Sequence, residues 1–428
     1  MAYLKIRYSN KNEAPLYAKI YNNKSSGKAI NKILMGTWVG VVEESGDWYK
    51  VVTAGPDGWI HKDHVRETMG LKTFYVDVGQ GDGAFMEMGE KRILIDGGPN
   101  SNFYKYLKYH FRYLLISRKK VHFEHVIISH FDDDHFRGLI PLIEDDRFTF
   151  GTIYHNGIAR FHADKNKRPD KYNQDLGTVI ESGGKDYLMT KFSTLNQLKK
   201  LQDDGGLKFR FNKFTDAVIK ADNEGRIKAL KMMNDGDTID LGSEHGADAK
   251  IDVLGPVQSR INNKICYEWF DDSSHTRNGH SVVAKVTYGE RTMLFGGDLN
   301  SASETHLLTK HANPDVFLVD VSKQCHHGSS DFTVDFMKKM KPYVTVISSG
   351  DNESHAHPRA DSIGCAGRYS RGVRPKVFST ELARSVNSKD DVLYGMINLR
   401  CDGNRLYMAQ MKEAKKGADI WDSYNIFE

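Results

Sequence analysis

The stretch Ser129-His130-Phe131-Asp132-Asp133-Asp134-His135 carries two imidazoles and three carboxylates within six residues. An apolar run, Val126-Ile127-Ile128, precedes it and reads as a buried strand; a second apolar stretch, Phe136 to Ile143, follows it. So many titratable groups at the carboxyl end of a strand are poor material for a hydrophobic core. They are good material for holding divalent metal ions. An EF-hand does not fit, because the stretch lacks the central Gly and the distant closing Glu. A solvated acidic loop is the plain alternative, and the rest of the chain must decide between them.

At 428 residues the chain can build two or three domains with a substantial core. Its 39% hydrophobic and 27% charged residues are those of a soluble globular protein. No apolar stretch approaches the roughly 20 residues needed to span a bilayer. The stretch Met1 to Arg7 alternates like a strand and lacks the apolar core of a signal peptide, so the expected location is the cytoplasm, with no membrane partner. Cys266, Cys325, Cys365 and Cys401 form no C-x-x-C pair, which argues against a disulfide framework and a zinc ribbon. The net charge of +4 does not by itself imply nucleic acid. Between Arg160 and Lys231, however, sixteen Lys and Arg face ten Asp and Glu. A basic insertion of this kind can meet a phosphate backbone or simply be a solvated surface.

Residues 1–67 read as short strands: Gly36 to Val42 alternates, Gly46 to Val52 follows a turn, and Gly58-Trp59-Ile60 comes after the turn signal Gly55-Pro56-Asp57. The pattern resembles a bacterial SH3-like domain, a small all-β barrel, with Trp38, Trp48 and Trp59 as core or groove lining. Such a module implies a possible protein partner. Arg66 to Gly70 is the expected linker to a second domain over 71–428. There, strands are expected at 73–78, 84–88, 92–96, 251–254, 281–287, 291–295, 316–321 and 344–348, with helices over 102–116, 194–202 and 331–340. Strand pairs alternating with helices predict two sheets covered by helices, an α/β fold. The 155–250 region reads as an elaboration and not as a separate compact domain.

Further segments accompany the opening motif in one order. They are Val76-Asp77-Val78-Gly79-Gln80-Gly81-Asp82, Ile93-Leu94-Ile95-Asp96-Gly97-Gly98, Asn278-Gly279-His280-Ser281, Leu294-Phe295-Gly296-Gly297-Asp298-Leu299 and Lys323-Gln324-Cys325-His326-His327-Gly328-Ser329. Ser349-Gly350-Asp351-Asn352 with His357-Pro358 comes last. Together with His130-x-Asp132-x-Asp134-His135 they resemble the metallo-β-lactamase-fold domain of ComEC-type competence proteins and their soluble relatives. That resemblance implies an αββα sandwich and a DNA-degrading hydrolase. Asp132 stands where the better-known H-x-H-x-D-H signature has a second His.

Hydrolysing a phosphodiester at neutral pH needs a nucleophilic hydroxide and a neutraliser for charge on the leaving oxygen. Two divalent ions about 3.5–4 Å apart supply both. On that logic His130 and Asp132 take the first ion, and Asp134 and His135 the second. Asp298 is the candidate bridge, and His326 or His327 completes the second set, with His326 favoured. A carboxylate in place of an imidazole hardens the first site, so the expected ions are Zn2+ or Mn2+. His280 and His155 are possible extra ligands for it. Asp96 is expected to buttress the ligand loop by hydrogen bonds, with Asp82 and Asn278 in similar supporting positions. Lys323 and His357 are candidates for phosphate binding and leaving-group protonation.

The leading expectation is a metal-dependent nuclease, with DNA favoured over RNA as substrate. A hydrolase of a small phosphodiester or ester is the alternative, since one fold hosts many chemistries. A non-catalytic metal-binding protein that recruits a partner is the third. It fits less well, because structural zinc sites rarely use so many carboxylates.

Overall fold

Strands that are apolar on both faces need a covering layer on each side. The structure, a computed structural model, describes residues 5–9, 17–24, 27–244, 246–350, 355–380 and 396–427. Two large sheets stack face to face. One has nine strands in the order Ile227–Met232, Phe148–His155, Val121–Ile128, Lys91–Ile95, Ala84–Met88, Leu71–Tyr75, Ile397–Cys401, Leu406–Lys416 and Asp419–Asn425. The other has seven: Thr238–Glu244, Ala247–Gly255, Val283–Tyr288, Arg291–Phe295, Val321–Lys323, Val344–Ile347 and Lys376–Ser379.

Met86, Ile93, Ile95 and Ile127 of the first sheet share one apolar core with Ile251, Val286, Met293 and Phe295 of the second. Tyr75 and Phe295 stack across it with ring centroids 5.7 Å apart. The helices Asn102–His110 and Phe209–Asn223 cover the outer face of the first sheet through Phe103, Leu107, Phe211 and Val218. Ser301–Lys310, Val334–Met340 and Ala360–Arg368 cover the second through Leu307, Phe336, Met337 and Ala366. The layers are α, β, β, α, as expected.

The amino-terminal strands form a separate seven-stranded antiparallel sheet around Ala18, Ile20, Ile33, Val39, Val51 and Ile60. It runs from Ala29–Leu34 at one edge to Val65–Arg66 at the other, with no closure into a barrel among the described residues. Trp59 is buried, whereas Trp38 is exposed. Trp421 Nε1 donates to Lys32 O at 3.0 Å and ties this sheet to the last strand of the chain. The expected strand over 316–321 is corrected. Pro314–Phe317 forms a 3-10 turn capped by the Asn313 side chain, and the strand is Val321–Lys323. Proline at the first turn favours that start. Asp351 and Asn352 lie outside the described residues.

The 155–250 region is woven into the sandwich. Its strand Ile227–Met232 pairs in parallel with Phe148–His155 at the edge of the first sheet. Its helix Phe209–Asn223 sends Phe211 and Phe214 onto Phe131, the apolar residue inside the acidic stretch, at ring-centroid distances of 4.8 and 5.2 Å. Phe136 and Phe192 complete the ring cluster. Phe131 is wholly buried, so this packing anchors the acidic loop from below. Phe131→Ala is expected to cost about 3–5 kcal/mol of stability and to loosen His130 and Asp132 on either side. Denaturant unfolding beside metal titration checks both effects.

Candidate metal centre

Parallel strands of both sheets end at one rim. Lys91–Ile95 runs parallel to Val121–Ile128, so Asp96 and Ser129 emerge side by side. In the other sheet Arg291–Phe295, Val321–Lys323 and Val344–Ile347 run parallel and lead to Asp298, the His326-His327 pair and Ser348. Open parallel sheets place their functional groups at this end. Close approach here requires glycine. A Cβ on Gly81 would lie 2.3 Å from Asp134 O, and one on Gly297 would lie 2.7 Å from Ser281 Cβ and 2.8 Å from Ser129 Cβ.

Asp82, His135, Asp298 and His327 can each bring one donor atom within 4.8 Å of all the others. All four are buried. The Nε2 atoms of His135 and His327 face each other at 3.3 Å. Asp298 Oδ1 lies 3.1 Å from the first, and Asp298 Oδ2 lies 3.2 Å from the second. Asp134 Oδ2 stands 3.2 Å from His327 Nε2. The Nδ1 atoms are engaged elsewhere. His135 Nδ1 is 2.9 Å from Asp96 Oδ2, and His327 Nδ1 is 3.1 Å from Ser348 O. Each ring therefore holds its Nδ1 towards an acceptor and turns Nε2 to the common point, the orientation a metal-binding imidazole needs. Asp82 lies on the Nδ1 side, with Oδ1 3.2 Å from His327 and Oδ2 3.8 Å from His135. By this geometry His135, His327 and Asp298 surround the point, Asp134 reaches it beside His327, and Asp82 backs the two rings. The donor set, imidazoles with carboxylates, suits a divalent metal ion.

Burial pushes the Asp298 carboxyl up, but the imidazoles of His135, His327 and His326 outweigh it and hold it well below the usual carboxylate range. Burial likewise opposes charge on His135 and His327, yet the surrounding carboxylates, Asp298 foremost, raise both well above the usual imidazole value. The centre thus presents charged carboxylates ready to face a cation. A small cavity adjoins it, lined in part by Asp82, Asp96, Ser129 and Lys323.

Asp96 accepts from Ser129 N and Ser129 Oγ, both at 2.7 Å, besides facing His135 Nδ1. It buttresses the ligand loop from a left-handed backbone position, φ 57°. His326 and His327 are both left-handed as well, at φ 49° and 54°. Two consecutive non-glycine residues in that region are strained, and such strain gathers at functional sites. The turn sends His327 inward. His326 stays at the rim, with Nε2 4.0 Å from Asp298 Oδ2, so the preference for His326 gives way to His327.

The first-ion set is less complete. His130 is wholly buried, with Nδ1 3.1 Å from Ser129 Oγ and 3.2 Å from Ser281 Oγ, and its Nε2 has no hydrogen-bond partner among the described residues. Asp132 Oδ2 is 3.8 Å from that Nε2. Asp132 Oδ1, however, is ion-paired with both Arg160 Nη1 and Arg277 Nε. Asn278, with its amide turned to suit its neighbours, donates to Asp132 Oδ2 at 3.0 Å. Burial raises the Asp132 carboxyl, but Arg277 and Arg160 outweigh it and hold it well below the carboxylate range.

Neither expected extra ligand joins the centre. His280 stacks between Tyr267 and Phe270, its Nε2 is 2.7 Å from Glu268 O, and burial pushes it down to about 3. His155 stacks on Phe192, accepts from Gly157 N at 3.0 Å, and burial pushes it down to about 3. Both are neutral core imidazoles. Lys323, expected to meet substrate phosphate, is buried and ion-paired with Asp82, with Asp298 Oδ1 4.0 Å away. Those two carboxylates outweigh burial and raise its ammonium. His357 lies at the mouth, half-buried, with its ring 5.8 Å from that of His326 and 6.3 Å from that of His327. Its Nδ1 is 3.1 Å from Gln80 Nε2. Sequence reasoning missed Arg160 and Arg277, because nothing in the sequence joins either to Asp132.

Metal titration is expected to load one ion tightly per chain and a second more weakly, since His130 and Asp132 alone offer few free donors. Elemental analysis after dialysis against graded chelator checks the count. Asp96→Ala is expected to weaken the tight site by about 10–100-fold, measured by competition with a chromophoric chelator.

Residues 76–348, more than half of the chain, match the sequence profile of the metallo-beta-lactamase superfamily. No curated protein matches the chain in sequence. Among solved structures, the metallo-beta-lactamase fold protein YhfI from Bacillus subtilis is similar at 13% identity and TM-score 0.36, covering 72% of this chain and 96% of its own. Igni18, a metallo hydrolase from Ignicoccus hospitalis KIN4/I, is similar at 12% identity and TM-score 0.35, covering 72% and 95%. A diphosphatase from the PhnP family is similar at 12% identity and TM-score 0.32, covering 76% and 99%. With the profile match spanning both sheets and every motif up to Ser348, the chain belongs to the metallo-beta-lactamase superfamily.

Proposed function

We propose that this chain is a metal-dependent phosphodiesterase of the ComEC-like type that cuts nucleic acid, DNA before RNA, with Zn2+ or Mn2+ as its ions. The observation that carries the reading is the convergence of His135, His327 and Asp298 on one point, with Asp134 beside His327, Asp82 behind the rings, and cationic side chains at Asp132 and Asp133. A bound divalent ion supplies Lewis acidity there, lowering the pKa of water and neutralising charge that develops on phosphoryl oxygens. Asp96 and Asp82 hold the two imidazoles in register. Lys323 offsets the buried charge of Asp82 and Asp298 from behind. His357 stands at the mouth, beside the His326 rim, where it is placed to give a proton to the leaving oxygen. In the same reading residues 1–67 are an SH3-like recruiting module for a protein partner, residues 71–428 are the hydrolase, and the protein works in the cytoplasm.

Single- and double-stranded DNA and RNA, together with a small phosphodiester such as bis(p-nitrophenyl) phosphate, are the substrates to screen with manganese, zinc and magnesium. The expected result is divalent-dependent cleavage of nucleic acid, abolished by chelator. Asp134→Ala and Asp298→Ala are expected to remove the activity, and full activity in both would refute the metal mechanism. Hydrolysis of the small ester alone would move the assignment to a small-substrate hydrolase. His357→Gln is expected to lower kcat by about 10²–10⁴-fold while leaving metal content unchanged, which separates a proton donor from a ligand.

A further inference from the structure

Besides its aromatic anchor, the basic insertion touches the acidic loop through charged groups. Lys208 N donates to Arg160 O at 2.8 Å, so the start of the helix Phe209–Asn223 is tied to the residue that pairs with Asp132. Arg210, in the first turn of that helix, is ion-paired with Asp133. Arg277 reaches Asp132 from the other sheet's side of the chain. Four cations, Arg160, Lys208, Arg210 and Arg277, thus gather around two carboxylates, Asp132 and Asp133. Lys208 is exposed and has no ion-pair partner within 4.0 Å among the described residues. Burial lowers its ammonium first, and the neighbouring Arg160 and Arg277 lower it further, against the pull of Asp133 and Asp132. That local excess of positive charge is fit to receive an anion.

Between Lys208 and Arg210 stands Phe209, which is 66% exposed. Its ring carries Lys213 Nζ at 4.7 Å from the centroid. An exposed ring flanked by cations, beside the loop that bears the candidate metal ligands, has the two elements of a single-strand site: a stacking face for a base and positive charge for the flanking phosphates. A duplex keeps its bases stacked inside and has no base to offer such a ring.

We propose that Phe209, with Lys208 and Arg210, binds an unpaired nucleotide strand next to the metal centre, the base stacking on Phe209 and the phosphates meeting the two cations. This rests on the nuclease reading above and names its substrate as single-stranded. The side chain of Phe209 lies outside the core, so its removal leaves the fold in place.

The test measures fluorescence-anisotropy binding of a phosphorothioate-linked oligo(dT), which resists cleavage, to the full chain as purified, beside a duplex of the same length. Phe209→Ala is expected to weaken single-strand binding by about 5- to 100-fold, to change duplex binding less than about twofold, and to leave hydrolysis of bis(p-nitrophenyl) phosphate unaltered. Lys208→Gln is expected to reduce the slope of log affinity against log salt by about 0.7. Unchanged single-strand binding in Phe209→Ala, or an equal loss on duplex, would overturn the stacking site while leaving the nuclease reading intact. A wild-type chain that binds neither strand nor duplex would instead overturn the nuclease reading itself and the stacking site with it.

Discussion

The rim of the sandwich depends on one buried carboxylate. Asp96 is almost fully enclosed, and a charge in that position is tolerable only if its oxygens are saturated by donors. Ser129 supplies two of them, from its amide and its hydroxyl, and His135 supplies the third. These contacts join the end of one strand to the end of its parallel neighbour and to the short helix that carries Asp134 and His135. They also decide which nitrogen of His135 faces the centre. Stability of the loop and orientation of the ring are therefore the same interaction, which is why the position tolerates a left-handed backbone.

Beyond Asp96 the charge around the centre divides into two compartments. Asp82, Asp134 and Asp298 face His135, His327 and Lys323. Asp132 faces Arg160 and Arg277. The first compartment holds imidazoles, which can surrender a proton and accept a metal. The second holds guanidiniums, which cannot be deprotonated and do not ligate. Two aspartates only two residues apart in a single acidic run thus face different chemistry, set by what the distant chain brings to each.

That division explains what could be read from the sequence and what could not. Residues at strand ends were legible: Asp96, Asp298 and the His326-His327 pair each follow an apolar run of strand length and meet at the rim. So was the layered fold, since the strand runs alternate with helices of the right length. The pairing of Asp132 was not legible, because Arg160 and Arg277 are remote from it in sequence and carry no local pattern. His155 and His280 resembled ligands only while their stacking partners Phe192, Tyr267 and Phe270 were unknown. The inward choice of His327 over His326 rests on two positive φ angles that residue type alone does not dictate. The apolar run over 316–321 imitates a strand, but Asn313 and Pro314 set a turn at its start.

The insertion meets the acidic loop through both apolar and charged contacts. Its helix packs Phe211 and Phe214 beneath Phe131 and sends Arg210 to Asp133, while the segment before it sends Arg160 to Asp132. The acidic loop is thus gripped on its apolar side and on its charged side by one element. A phosphate arriving at Lys208 and Arg210 competes with Asp133 for the same guanidinium, and the grip on the loop then depends on what is bound. The Phe131 packing does not involve Arg210, so on the proposed reading the loop keeps its apolar anchor while its charge partners exchange. On the proposed reading, substrate binding and the electrostatic setting of the metal loop are coupled through Arg210, with the aromatic cluster as the fixed point.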